Sequence, residues 1–203
     1  MAASMERGFA VFVPELRKRG DTELPTIFGY AAVYDVLSEE LGGYREMIKP
    51  GAFDEALTEK PDVSARIQHE GGLTTIGRTT NDTLRLGSDK MGLWYEIIPP
   101  DTSAGRDIVS LIRDKYITQS SFAFMVREDG EYWVMDSTPP TRILTKLTLY
   151  DVAPVDGPAY VQTTVEVRKR ILQNAQAAKP PIVDAPNRAK AEQRLRNFHN
   201  AQS

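Results

Sequence analysis

Apolar and polar positions alternate along much of this chain, and the period changes only in a few stretches. "GFAVFVPEL" (8–16) and "IFGYAAVYDV" (27–36) are rich in aromatic and β-branched residues and bounded by Gly, Pro and Asp, so both predict strands. "SEELGGYREM" (38–47) reads as a polar connection with a Gly-Gly break. "KPGAFDEALTEK" (49–60) predicts a short helix that starts at Pro50, carries Phe53, Ala56 and Leu57 as its apolar stripe and stops at Pro61. "DVSARIQH" (62–69) alternates, and parity places Val63, Ala65, Ile67 and His69 on one face. "DTLRLGSDKMGLWYEIIP" (82–99) predicts a hairpin that turns at "GSDKMG". The period lengthens to that of a helix over "DTSAGRDIVSLIRDKY" (101–116), with Asp101, Thr102 or Ser103 as cap and Ile108, Leu111, Ile112 and Lys115 along one side. "ITQSSFAFMV" (117–126) returns to a strand, "REDGEYWV" turns back, and "TRILTKLTLYDVAPV" (141–155) predicts one long strand region. "DGPAYVQTTVEVRKR" (156–170) opens with a turn and ends as a strand or short helix. The sum is many strands with two or three short helices, a barrel or sandwich with helices packed outside.

After about Arg170 the pattern fades into a polar segment with a Pro-Pro break, read as a linker and a marginal helix over 187–198. Composition sharpens that division. The net charge is −3, but residues 168–203 hold eight Lys or Arg and two Asp or Glu, so this tail carries +6 and residues 1–167 carry −9. The expected organisation is a domain over 1–170 and a basic tail over 171–203. Nucleic-acid binding through that tail is a rival role, with nucleic acid not expected as the main partner. No apolar run reaches the roughly 20 residues that span a bilayer, and the start has no secretion-signal pattern, so a cytosolic setting without membrane contact is expected.

The absence of cysteine removes disulfides, thiolate metal sites and cysteine nucleophiles. With two histidines, His69 and His199, and no His-Glu-x-x-His spacing, neither a metal nor another cofactor is expected. A serine hydrolase asks for less: a hydroxyl, a base near neutral pKa and a group to orient that base. His69 is the histidine within the patterned body. "QSSFAF" offers two hydroxyls, and strand parity separates them. Ser120 shares a face with Phe122 and Phe124, while Ser121 shares the other with Ala123 and Met125. If the phenylalanines enter the core, Ser121 points away from it. The bland alternative is that both serines are edge or turn hydroxyls.

An ordered series of motifs resembles the prohead (capsid maturation) proteases of tailed bacteriophages, serine peptidases related in fold to the herpesvirus assemblins. The series is "GYAAVYD" (29–35), "REMIKPGAFDEAL" (45–57), "QHEGGLTTIGRT" (68–79), "DTSAGRDIVSLIRDKYITQSSFAF" (101–124), "LTLYDVAPVDGPAY" (147–160) and "TTVEVR" (163–168). The resemblance implies an α+β, mostly β fold: a closed or nearly closed antiparallel β-barrel flanked by short helices. It implies His69 as catalytic base and Ser121 as nucleophile, the Ser before the first Phe of a Ser-Phe-Gly-Phe motif in which Ala123 here replaces Gly. It implies Asp151 as the orienting carboxylate, with Asp156 as the alternative. An oxyanion hole is required and is normally built from backbone N–H groups, with Arg106 and Arg142 as side chains to examine. The implied substrates are the scaffold segment of a major capsid protein or a separate scaffolding protein, and the chain itself. Self-association is implied by analogy, and the implied place of action is the assembling procapsid in the host cell cytoplasm. A non-enzymatic assembly or scaffolding component with the same fold is the competing expectation.

Overall fold

In the computed structural model, residues 5–10, 12–20, 23–157 and 165–177 are described. The chain runs through β1 (Glu6–Ala10), β2 (Glu15–Arg17), β3 (Thr26–Val33), β4 (Arg45–Ile48), α1 (Asp54–Thr58), β5 (Ser64–Arg66), β6 (Thr75–Arg78), β7 (Leu84–Ser88) and β8 (Gly92–Ile97). It continues with α2 (Ser103–Arg113), β9 (Gln119–Val126), β10 (Glu131–Val134), β11 (Thr141–Leu144), β12 (Leu147–Val155) and α3 (Val165–Ala177).

Among the described residues these strands form three sheets, ordered β1-β9-β12-β5-β6, β2-β3-β8-β7 and β10-β11-β4. The fold is α+β and mostly β. None of the sheets closes on itself through backbone hydrogen bonds, so the strand order does not complete the barrel that the resemblance implied. Two ladders, β12–β5 and β11–β4, are parallel rather than antiparallel. Their strands meet across long stretches of chain, where periodicity carries no information about direction.

Several elements differ from the pattern for local reasons. The expected strand over 8–16 is two strands: β1 pairs with β9 and β2 with β3. Pro14 lies between them and has no N–H to continue a ladder. Strand β4 takes the end of the stretch read as a polar connection and runs one residue past it, and β6 forms where the pattern indicates no strand. The region 141–155 is likewise two strands, because the Thr145 and Lys146 amides leave the ladder and both donate to the Gly130 carbonyl, at 2.7 and 3.2 Å. Helix α1 starts only at Asp54, after Gly51 takes φ +89°, and stops where Lys60 takes φ +50°. Helix α2 is capped by Thr102, whose Oγ1 accepts from the Gly105 amide at 3.3 Å. Its buried side carries Ile108, Val109 and Ile112, while Leu111 reaches the surface and Lys115 lies beyond the helix end.

The core lies between the five- and four-stranded sheets, with α1 and α2 closing it. Phe53, Phe122 and Phe124 form its aromatic centre, with ring centroids 5.5 and 5.0 Å apart in succession. Each such ring buried from water contributes about 2–3 kcal/mol. A smaller cluster of Leu41, Tyr44 and Trp133 is covered by Ile171, Leu172 and Ala175 of α3. That packing carries the helix through position 170, where the sequence pattern placed the start of the tail. The helix expected over 187–198 lies outside the described residues.

Candidate active site

The five-stranded sheet has one face in the core and one turned away from it, and the ladders define the second. Residues directly opposite in neighbouring strands share a face. Phe122 and Phe124 of β9 enter the core, so Ser121 and Ala123 occupy the other face. Asp151 of β12 is in register with Ala123 and, across the parallel ladder, with Ser64 of β5.

Two departures from regular geometry bring the site together. Strict alternation in "LTLYD" would put Asp151 on the core side with Leu147 and Leu149. A bulge prevents this: Leu149 pairs with Phe124 and Asp151 with Ala123, leaving Tyr150 as the extra residue. The bulge turns the carboxylate onto the face of Ser121. On β5, alternation would send His69 to the core after Val63, Ala65 and Ile67, as parity in the sequence suggested. The strand ends at Arg66 instead, and Gln68 and His69 take φ +54° and +63°. Left-handed backbone at non-glycine residues costs about 1–3 kcal/mol each and concentrates at functional sites. Here it swings the imidazole off the core face.

The outcome is a continuous hydrogen-bonded line. His69 Nε2 lies 2.6 Å from Ser121 Oγ, and His69 Nδ1 lies 2.5 Å from Asp151 Oδ1. All three residues are buried. Asp156, the alternative carboxylate, is an exposed residue just past β12. Arg106 sits half exposed on the first turn of α2, paired with Asp101. Arg142 is committed elsewhere: its nitrogens bond Glu6, Glu46 and Glu131. Burial alone would pull its guanidinium down, and the three carboxylates more than reverse that, holding it protonated far above its ordinary range. Neither arginine is brought to Ser121 as an oxyanion donor.

The neighbouring hydroxyl has a structural use. Ser120 Oγ lies 2.7 Å from the hydroxyl of Tyr95, a fully buried side chain, and contacts the Phe12 carbonyl at 3.4 Å. Burial pushes the Tyr95 phenol well up, which the bond to Ser120 offsets in part. Gly29 makes room for this pair, because a Cβ there would stand 2.5 Å from the Tyr95 hydroxyl oxygen.

The edge of β9 beyond Ser121 is occupied by β1. Ser121 Oγ lies 2.7 Å from the Gly8 carbonyl as donor to acceptor. A serine hydroxyl has one proton. It donates either to the Gly8 carbonyl or to His69 Nε2, and not to both at once. The strand is held by Glu6, which meets Arg142 in a fork at 2.5 and 3.1 Å. Side chains are excluded at Gly8 because a Cβ would lie 2.5 Å from the Phe122 ring. Ser121 is wholly buried behind this strand.

A hydroxyl, an imidazole and a buried carboxylate in series are the working parts of a serine hydrolase. The comparisons narrow that class. The sequence model described as Caudovirus prohead serine protease matches residues 13–178, and the chain belongs to that family. A solved structure, that of the bacteriophage T4 capsid assembly protease gp21, superposes with a TM-score of 0.50 at 12% identity. It covers 77% of this chain and 98% of its own, a likeness of fold. No curated protein sequence matches the chain.

Proposed function

We propose that the protein is a serine endopeptidase of phage capsid maturation with Ser121 as nucleophile, His69 as general base and acid, and Asp151 as the carboxylate that orients His69. The observation that carries this reading is the Ser121–His69–Asp151 hydrogen-bond line in a member of the prohead serine protease family. Ser121 Oγ adds to the scissile carbonyl while His69 Nε2 takes its proton. The imidazolium, held against Asp151, then returns the proton to the leaving amine, and water repeats the sequence on the acyl-enzyme. Asp151 fixes the tautomer with the Nδ1 proton toward itself, which leaves Nε2 free to accept. An oxyanion hole of backbone N–H groups completes the reaction.

The reading extends to partners. The substrates are scaffold segments of the major capsid protein or a scaffolding protein inside the procapsid, with the chain itself as a further target and a second copy as its associate. The protease domain is the patterned body over 1–170 and the basic tail follows over 171–203, with α3 spanning the boundary between them.

Co-expression with the cognate capsid protein tests the reading. Wild type converts the capsid or scaffold band to shorter species, and Ser121→Ala, folded to the same extent, shows none. Loss of a triad nucleophile costs about a million-fold in rate. Identical band patterns from the two would overturn the reading and leave a non-enzymatic assembly component.

A further inference from the structure

Asp151 has two carboxylate oxygens, and His69 uses one. The other, Oδ2, faces Arg66 Nη1 at 3.6 Å. About 5% of the Asp151 side chain is exposed, so the carboxylate end of this contact is shielded while its arginine end is screened in part by water. Arg66 comes from β5, two residues after Ser64, the residue in register with Asp151. It therefore lies on the same face, one step along. Its aim is set by a shift in the neighbouring ladder, where Ala65 pairs with Gly77 and Arg66 with Thr75, leaving Ile76 as the extra residue of β6. The Arg66 side chain is 37% exposed, yet its Nε is buried with no hydrogen-bond partner.

We infer that Arg66 is a positioning residue of the reaction: it holds the second oxygen of Asp151 and supplies the carboxylate's counter-charge while the imidazole of His69 is neutral. This inference rests on the proposed roles of Ser121, His69 and Asp151. Among the described residues, Arg66 from β5 and Ser121 from β9 make polar side-chain contacts with the Asp151–His69 pair. With the guanidinium in place, the carboxylate cannot rotate without losing an ion pair, so Oδ1 stays aimed at Nδ1. Removing it frees the carboxylate to turn and takes away a cation that opposes protonation of the imidazole.

The test uses the full chain with Arg66→Met, which keeps the apolar stem, and Arg66→Lys, which keeps the charge. Two readouts are taken, with Ser121→Ala as the control. The first is the rate of labelling by a fluorophosphonate, followed by intact mass from pH 5 to 9. In that step the Ser121 Oγ–P bond forms, the P–F bond breaks, fluoride leaves and the hydroxyl proton passes to His69. Arg66→Met is expected to label at least about tenfold more slowly, with the acid limb of its profile moved to higher pH. Arg66→Lys is expected within about threefold of wild type, with the limb unmoved. The second readout is the downfield proton resonance of His69 Nδ1, which needs no turnover. It is expected in wild type and Arg66→Lys and to be shifted or lost in Arg66→Met. Wild-type rate and resonance in Arg66→Met would overturn the inference. So would equal losses in both variants with the profile and resonance unchanged, since that pattern marks packing alone. Labelling of Ser121→Ala at the same site would overturn the nucleophile assignment instead, which keeps the two failures apart.

Discussion

At the scale of single residues, the two adjacent hydroxyls of β9 divide their work by parity. Ser120 faces the core and meets Tyr95, while Ser121 faces away and meets His69. Their chemistry is the same, and only the side of the sheet separates them. Ser120→Ala is expected to leave a buried phenol without its partner, at a cost of about 1–3 kcal/mol. Urea titration would show this as a lower midpoint, while processing of the capsid or scaffold band continues. Ser121 and Ser120 could be separated from the sequence because β9 is regular and its alternation holds over the whole strand. Arg66 could not be found that way. Nothing in "DVSARIQH" distinguishes it from any charged residue on the outer face of a strand, and its partner stands 85 positions later in the chain.

At the scale of elements, irregularities place the chemistry. The bulge at Tyr150 turns Asp151 out of the core, and the left-handed pair Gln68–His69 brings the imidazole over the same face. Parity from the sequence put His69 on the wrong side, because alternation is a property of extended backbone and β5 ends three residues earlier. Strand β1 is the other element with a bearing on chemistry, since it places the Gly8 carbonyl against Ser121 and lies outside the stretch matched by the family's sequence model. Its anchor is Glu6, one of three carboxylates around Arg142, and Glu46 and Glu131 still satisfy that arginine when Glu6 is neutralised. Glu6→Gln is therefore expected to loosen β1 while the body stays folded. Hydrogen exchange would report this as amides of residues 6–10 exchanging at least about tenfold faster, a change of about 1.4 kcal/mol in local opening. Unchanged exchange there would show that the backbone ladder alone holds the strand.

At the scale of the molecule, burial of tyrosine hydroxyls links stability to alkaline pH. Burial raises Tyr95 and Tyr34, and Tyr30 is pushed up to about 12 by burial together with its bond to Asp89. An unfolded tyrosine ionises near pH 10. The folded groups hold their protons longer, so their contribution is complete below pH 10 and falls as pH rises from there toward the folded values. Each group adds a slope of up to about 1.4 kcal/mol per pH unit. Melting temperature is expected to drop steeply from pH 9.5 to 11.5, and Tyr95→Phe to show a shallower fall relative to its own value at pH 8. Strands β3, β7, β8, β9 and β10, the two short helices of the body, the Thr102 cap region and the division of Ser120 from Ser121 were open to reading in the sequence, because each depends on neighbours within one strand or one helical turn. So was the family, since its motifs follow one another in order along the chain. The sheet order, the two parallel ladders, the course of α3 past position 170, the commitment of Arg142 to three carboxylates and the approach of Arg66 to Asp151 were decided by tertiary structure. Each joins residues far apart in the chain, and periodicity carries no trace of which distant strand will lie alongside or where a ladder will slip by one residue.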